Sequence, residues 1–216
     1  MAVIRRIIIP YELRKSQNTL NRRTQILRRA AELFAEQGVA NTSMERIAAA
    51  VGVKREAIYY YFKSRHDVLL ELLLPSSKSL LSGMRNIRRT NLSSTEKLHS
   101  AIQNHLASFD PTYLEMSIAL REHHFFADTE KVSQLQETWT EYSNHWTEIV
   151  REGQKRGEFR QNLDAKMVAF GILGMCNWPS RWFDPSKGIS IDEIIETYFT
   201  IASNGLSNTP PSEPTD

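Results

Sequence analysis

The sequence predicts an all-α fold in two parts. Three observations carry that expectation: long runs of apolar residues recur at helical period, strand-like alternation and hairpin signals are missing, and only nine glycines break the 216 residues. Hydrophobic residues make up 41% and charged residues 24%, ordinary values for a globular chain, so a disordered or fibrous protein is excluded. The length allows one large domain or two modest ones. Charge divides the chain. Residues 1–66 hold 13 Lys/Arg against 5 Asp/Glu, a net of +8, and the remaining 150 residues hold 14 against 20, a net of −6. A basic head on an acidic body is the pattern of a polyanion-binding headpiece joined to a domain of another kind. The longest apolar run near the start is far short of an export signal, and no stretch approaches the ~18 apolar residues of a membrane span. With Cys176 as its one cysteine the chain has no internal disulfide framework. These features predict a cytoplasmic protein with no membrane partner.

Residues 1–20 read as a basic extension interrupted by Pro10, and residues 21–66 as a compact helical head. From Thr19 or Asn21, Ile26, Leu27, Ala30, Leu33 and Phe34 mark the buried stripe of a first helix that ends at Gly38. Thr42 and Glu45 have the spacing of a capping box, which starts a second helix burying Ile47, Ala48 and Val51. Gly52 ends it, because the residue just past a helix end takes a left-handed conformation. A short third helix follows over about Arg55 to Phe62, with Ile58, Tyr61 and Phe62 toward the core, and a fourth over 65–74 turns Val68, Leu69, Leu72 and Leu73 inward. Beyond Pro75 helices are expected near 76–90, 95–109, 112–124, 129–156, 164–183 and 191–205. The Pro- and Ser-rich ending, 207–216, has little to bury and is expected to be disordered.

Two short helices joined by Val51–Gly52–Val53 have the proportions of a helix-turn-helix, whose second helix enters the DNA major groove. This explains three consecutive tyrosines in a basic helix. With Ile58, Tyr61 and Phe62 inward, Lys54, Arg55, Glu56, Tyr59 and Tyr60 face outward, where rigid phenols suit phosphate oxygens. Arg55 has the donors to read guanine and Glu56 the acceptor for a cytosine amino group. Lys63 and Arg65 are expected to pin the DNA backbone, with Thr42, Ser43 and Arg46 on phosphates near the start of the second helix.

The stretch "ILRRAAELFAEQGVANTSMERIAAAVGVKREAIYYYFKSRHDVLLELL", residues 26–73, resembles the N-terminal domain of the tetracycline-repressor (TetR) family of bacterial transcription regulators. The likeness rests on Phe34 and Gly38, the Ile47–Ala48 pair, Gly52–Val53 and the Tyr-x-Tyr-Phe block before a basic residue. It implies a homodimer whose paired heads read a palindromic operator in double-stranded DNA, acting as a repressor. It also implies a C-terminal domain, here 67–206, that binds a small hydrophobic effector and dimerises through its last two long helices. Two departures stand out. Arg65 replaces the family's usual lysine and keeps the charge. Residues 1–20 lie outside the family's core, and Arg5, Arg6, Arg14, Lys15, Arg22 and Arg23 form either a minor-groove arm or part of a disordered leader.

In the acidic body, "GILGMCNWPSRWFDPSKGIS" (171–190) crowds Trp178, Arg181, Trp182 and Phe183 beside Gly171 and Gly174. It resembles the Gly-Met-x-Asn-Trp…Trp segment of TetR regulators that respond to acyl-coenzyme A thioesters, among them those controlling fatty-acid and steroid breakdown. Pro179 is expected to kink or end that helix. Two readings stay open for the aromatics: core or dimer interface, or a site where Arg181 meets a phosphate or carboxylate while Trp178 or Trp182 stacks on a flat group. The resemblance adds Ile118, Arg121, His124, Phe125, Trp139, Tyr142 and Trp146 as pocket candidates, with core packing as the alternative for each. His123 and His124 point apart on a helix, and no zinc spacing accompanies them, His105 or His145, so no metal or other cofactor is expected. No nucleophile elbow, phosphate loop or paired-carboxylate motif supports an enzyme.

Overall fold

The computed structural model describes residues 22–106 and 130–207. The basic extension 1–20, the helix expected over 112–124 and most of the expected tail lie outside these residues. So do four pocket candidates: Ile118, Arg121, His124 and Phe125. The described residues form two compact units, 22–77 with 130–135, and 78–106 with 136–207.

In the first unit, helix α1 (Arg22–Gln37) buries Ile26, Leu27, Ala30, Ala31 and Phe34 at the expected spacing. Gly38 follows in a left-handed conformation (φ 80°), and its N–H donates to the Phe34 carbonyl at 2.9 Å. Helix α2 (Met44–Val51) packs on α1 through Ile47 and Ala48, and on helix α3 (Arg55–Tyr61), which contributes Ile58. Gly52 (φ 73°) closes α2, and a side chain there would be strained. The expected Thr42–Glu45 capping box is replaced by a simple N-cap one residue later. Ser43 is the N-cap, its Oγ accepting the Arg46 N–H at 3.2 Å, while Thr42 is fully buried and its hydroxyl donates to the Gly38 carbonyl at 2.9 Å. Both residues can cap; the turn after α1 needs a buried hydroxyl, and Thr42 is the one that reaches it.

Helix α4 (Arg65–Arg89) runs 25 residues without a break at Pro75, where two helices were expected. Proline removes one backbone bond and strains the turn before it, a cost of about 3 kcal/mol. Buried Val68, Leu69, Leu70, Leu72 and Leu73 on one side of it, and Leu81 and Met84 on the other, offset that cost by packing. In the second unit, α5 (Ser94–Leu106) buries Leu98, Ala101, Ile102 and Leu106. The Glu158 carboxylate accepts the free N–H groups of Ser94 and Thr95 at 3.1 and 2.9 Å and caps that helix from outside it. Helix α6 (Glu130–Lys155) precedes α7 (Ala165–Asn177), capped by Asp164. The single helix expected over 164–183 is interrupted at Trp178, because Pro179 lacks the N–H to continue it and instead opens the short α8 (Pro179–Trp182). A 3-10 turn (Pro185–Lys187) leads to α9 (Ile191–Leu206), which has a complete Ser190–Glu193 capping box and packs on α5 and α7. No strand occurs among the described residues.

Candidate functional site

The head presents α3 outward by a division of labour within seven residues. Ile58 and Phe62 are fully buried and anchor the helix, so the opposite face cannot turn inward. Lys54, Arg55, Glu56, Tyr59, Tyr60 and Lys63 are exposed, and Tyr60 is 84% exposed, which rules it out as core. Tyr61 is half-buried, and its ring braces Tyr60 edge to face at 5.0 Å between centroids. Arg55 is held ready: its Nε lies 2.9 Å from Glu45 Oε1 and its guanidinium 5.8 Å from the Tyr59 ring centre. Tyr59 and then Glu45 hold its pKa above the ordinary value.

Arg46 lies exposed beside this face, with Nη1 donating to Gln37 Oε1 at 2.5 Å. Ser43 is half-buried and uses its hydroxyl as the cap. Thr42 and Arg65 differ from expectation. Thr42 is sealed in the turn, and Arg65 Nη1 donates to the carbonyls of Ala40 (2.8 Å), Val39 (3.3 Å) and Thr42 (3.4 Å). Both side chains hold the turn between α1 and α2; the buried Thr42 hydroxyl is spent there, and Arg65 does so through Nη1. Arg23, for which the sequence left open a minor-groove arm or a disordered leader, lies in α1 and pairs with Glu71.

The second unit brings together only part of the expected effector set. Tyr142 and Trp146, both on α6, are buried beside His105 of α5, with ring centres about 6 Å apart. Tyr142 Oη lies 3.0 Å from His105 Nδ1, and Asn177 Oδ1 lies 3.1 Å from Nε2. His105 and Asn177 were missed as members of this cluster; the Asn of the Gly-Met-x-Asn-Trp segment was the available signal. The indole Nε1 of Trp146 is buried with no hydrogen-bond partner among the described residues. Trp139 is half-buried. Trp178, Arg181 and Trp182 are instead exposed, with Trp182 edge-on to Phe183. Met167, Phe170 and Ile201 are exposed apolar side chains on α7 and α9.

Burial pushes His105 down to about 4 from an ordinary 6.5, against the pull of Asn177. The unfolded chain therefore takes up the proton first. The stability linked to neutral His105 is present above 6.5 and lost as pH falls toward 4. Urea unfolding from about pH 7.5 to about pH 5 is expected to cost the wild type about 2 kcal/mol more than His105→Gln. Equal slopes in the two proteins would show that His105 is not held neutral.

Residues 26–72 match the family of bacterial regulatory proteins of the tetR type, and residues 91–206 match the tetracyclin repressor-like C-terminal domain. The chain belongs to the TetR family. It is a DNA-binding regulator of transcription with an N-terminal helix-turn-helix and a C-terminal helical domain. Among its TetR relatives is the HTH-type transcriptional repressor KstR2 of Rhodococcus jostii, 29% identical over 188 residues, covering 87% of this chain and 92% of the relative. The structure of the ketosteroid transcriptional regulator KstR2 of Mycobacterium tuberculosis shares the fold, with a TM-score of 0.77, 21% identity and 90% and 99% of the two chains covered. So does AibR in complex with isovaleryl coenzyme A and operator DNA, with a TM-score of 0.69, 20% identity and 84% and 97% covered. Among the described residues no helix is long and apolar enough to cross a membrane.

Proposed function

We propose that this TetR-family regulator is a cytoplasmic, non-catalytic repressor that binds a palindromic operator as a homodimer and is released by a hydrophobic effector, an acyl-CoA thioester. The observation that carries the DNA half is the outward face of α3. Arg55 and Tyr60 stand exposed while Ile58 and Phe62 beneath them are buried, so hydrogen-bonding groups project from a rigid anchor. Lys54 and Lys63 supply charge at the two ends of the helix, and Glu56 an acceptor. Exposed Met167 and Phe170 on α7, Trp178 just past its end and Ile201 on α9 support a dimer, since lone apolar side chains are ordinary but four such residues favour a partner. Dimeric heads match half-sites about 34–36 Å apart, or a multiple. An effector that favours an α4 tilt incompatible with this spacing empties the operator in proportion to its preference for that state.

The acyl-CoA half rests on the Gly174–Met175–x–Asn177–Trp178…Trp182 segment, with Arg181 as the cation for a phosphate or carboxylate. A neighbour of the same fold, AibR, is bound to isovaleryl coenzyme A, which supports this ligand class. Matched pairs of CoA thioesters and free acids, with fatty, aromatic and steroid-derived acyl groups, test it by thermal shift. A native-state ligand at a hundredfold excess over its Kd adds about 2.7 kcal/mol. A shift with a thioester and none with its acid is expected; a flat panel would remove the ligand role of Trp178 and Arg181 and leave the DNA reading standing.

A further inference from the structure

The exit of α3 is held by charges that come from three separate helices. Arg23 of α1 donates from Nε to Glu71 Oε1 at 2.7 Å and from Nη2 to the other Glu71 oxygen, while its Nη1 donates to the Tyr61 carbonyl at 2.9 Å. The same guanidinium lies over the Phe62 ring, 4.4 Å from its centre. One helical turn before Glu71, Asp67 Oδ2 accepts the Lys63 N–H at 3.3 Å. Thus Tyr61, Phe62 and Lys63, consecutive residues at the end of the reading helix, are all gripped by Arg23, Glu71 or Asp67. Tyr61 is a last-turn carbonyl with no partner inside its own helix, so Arg23 sets where that end lies.

The two carboxylates are themselves joined by one cation. Lys131 Nζ donates to Asp67 Oδ1 at 2.6 Å and to Glu71 Oε2 at 3.2 Å. Lys131 sits in the first turn of α6, where the helix dipole disfavours a cation, so its own helix does not account for its charge there. Asp67 and Glu71 do. They stand four apart on α4 and repel each other unless a cation lies between them. Burial alone raises the Glu71 pKa, but Arg23 and Lys131 more than reverse this and hold it below the ordinary carboxylate value. Lys131 in turn lies above its ordinary value, burial being outweighed by Asp67 and Glu71.

We propose that Lys131 is a positioning residue for DNA recognition: by clamping Asp67 and Glu71 together it fixes the end of α3 and with it the aim of Tyr59 and Tyr60. Nothing in residues 26–72 contains it, since it arrives from the far side of the sequence on α6. The inference rests on the DNA-binding reading above and is independent of which effector binds.

The test uses the full chain without ligand, on an operator selected with wild-type protein. Lys131→Met is expected to weaken operator binding about tenfold, and Lys131→Arg to restore most of it. The salt slope is expected to stay unchanged, because Lys131 touches no phosphate. Melting temperature is expected to change little, as part-exposed ion pairs add little stability. Asp67→Asn, which removes one partner, gives a comparable loss, and the double variant loses no more than either single one. Wild-type affinity in both single variants overturns the inference, as does a loss accompanied by a shallower salt slope, which marks a direct phosphate contact. If Lys131→Met fails to fold, Asp67→Asn and Lys131→Arg decide between these outcomes. A wild-type protein that selects no operator defeats the DNA-binding reading first and this inference with it.

Discussion

Replacing Arg55 and Tyr60 together by alanine is expected to abolish sequence-specific operator binding while leaving the protein folded. Both side chains are exposed, so their truncation removes no core contact and is expected to change stability by no more than about 0.5 kcal/mol each. Binding is another matter. A bidentate arginine contributes about 1–3 kcal/mol of discrimination between bases, and each dimer carries the residue twice. Adding the lost phenol contact, affinity for the selected operator is expected to fall at least about a hundredfold, toward the non-specific level. Tyr60→Phe keeps the ring and loses the hydroxyl, so it is expected to fall between wild type and Tyr60→Ala. Binding isotherms at fixed salt, with circular dichroism as the fold control, read the result. Undiminished binding by the double variant would refute α3 as the recognition helix.

Trp146→Ala is expected to be the most damaging single change in the second unit. The ring is fully buried against His105 and Tyr142, and removing a buried tryptophan typically costs about 3–5 kcal/mol. Trp178, 63% exposed, is the contrast: within a protomer its truncation is expected to cost less than about 0.5 kcal/mol. Urea unfolding of both variants over a range of protein concentrations separates a core tryptophan from a surface one, since only the dimer contribution, in which Trp178 would take part, changes with concentration. A loss below about 1 kcal/mol in Trp146→Ala would mean that the ring is not part of the packed interior. The indole N–H, without a partner among the described residues, adds a second expectation: Trp146→Phe keeps most of the packing and loses no hydrogen bond seen there, so it costs far less than alanine.

The head was legible because its signals are local. Gly38 and Gly52 both take the left-handed conformation that ends a helix, and the apolar spacing of α1 and α3 chose the buried faces correctly. Local signals misled where two neighbours had the same chemistry, as with Thr42 and Ser43, or where packing overrode propensity, as at Pro75. Arg65 was unreadable for a different reason. Its carbonyl partners at Val39, Ala40 and Thr42 approach it only after the chain has folded back over more than twenty residues. The Arg23–Glu71–Lys131 clamp and the His105–Asn177 pair are longer-range still, and no period or spacing in one sequence encodes them. In the effector region, aromatic crowding singled out Trp178 and Trp182 and the family resemblance Tyr142 and Trp146, and only burial divides the two pairs.

Selection of binding sites from random duplex DNA by the wild-type protein decides whether the head reads sequence. A palindrome is expected whose half-sites lie one helical turn, about 34–36 Å, or a whole multiple apart. Its binding is expected to be at least about a thousandfold tighter than that of scrambled DNA at physiological salt. Enrichment of no sequence, with affinity that simply collapses as salt rises, would mean that the basic head coats DNA through phosphates alone, and would contradict the reading of this chain as an operator-specific repressor.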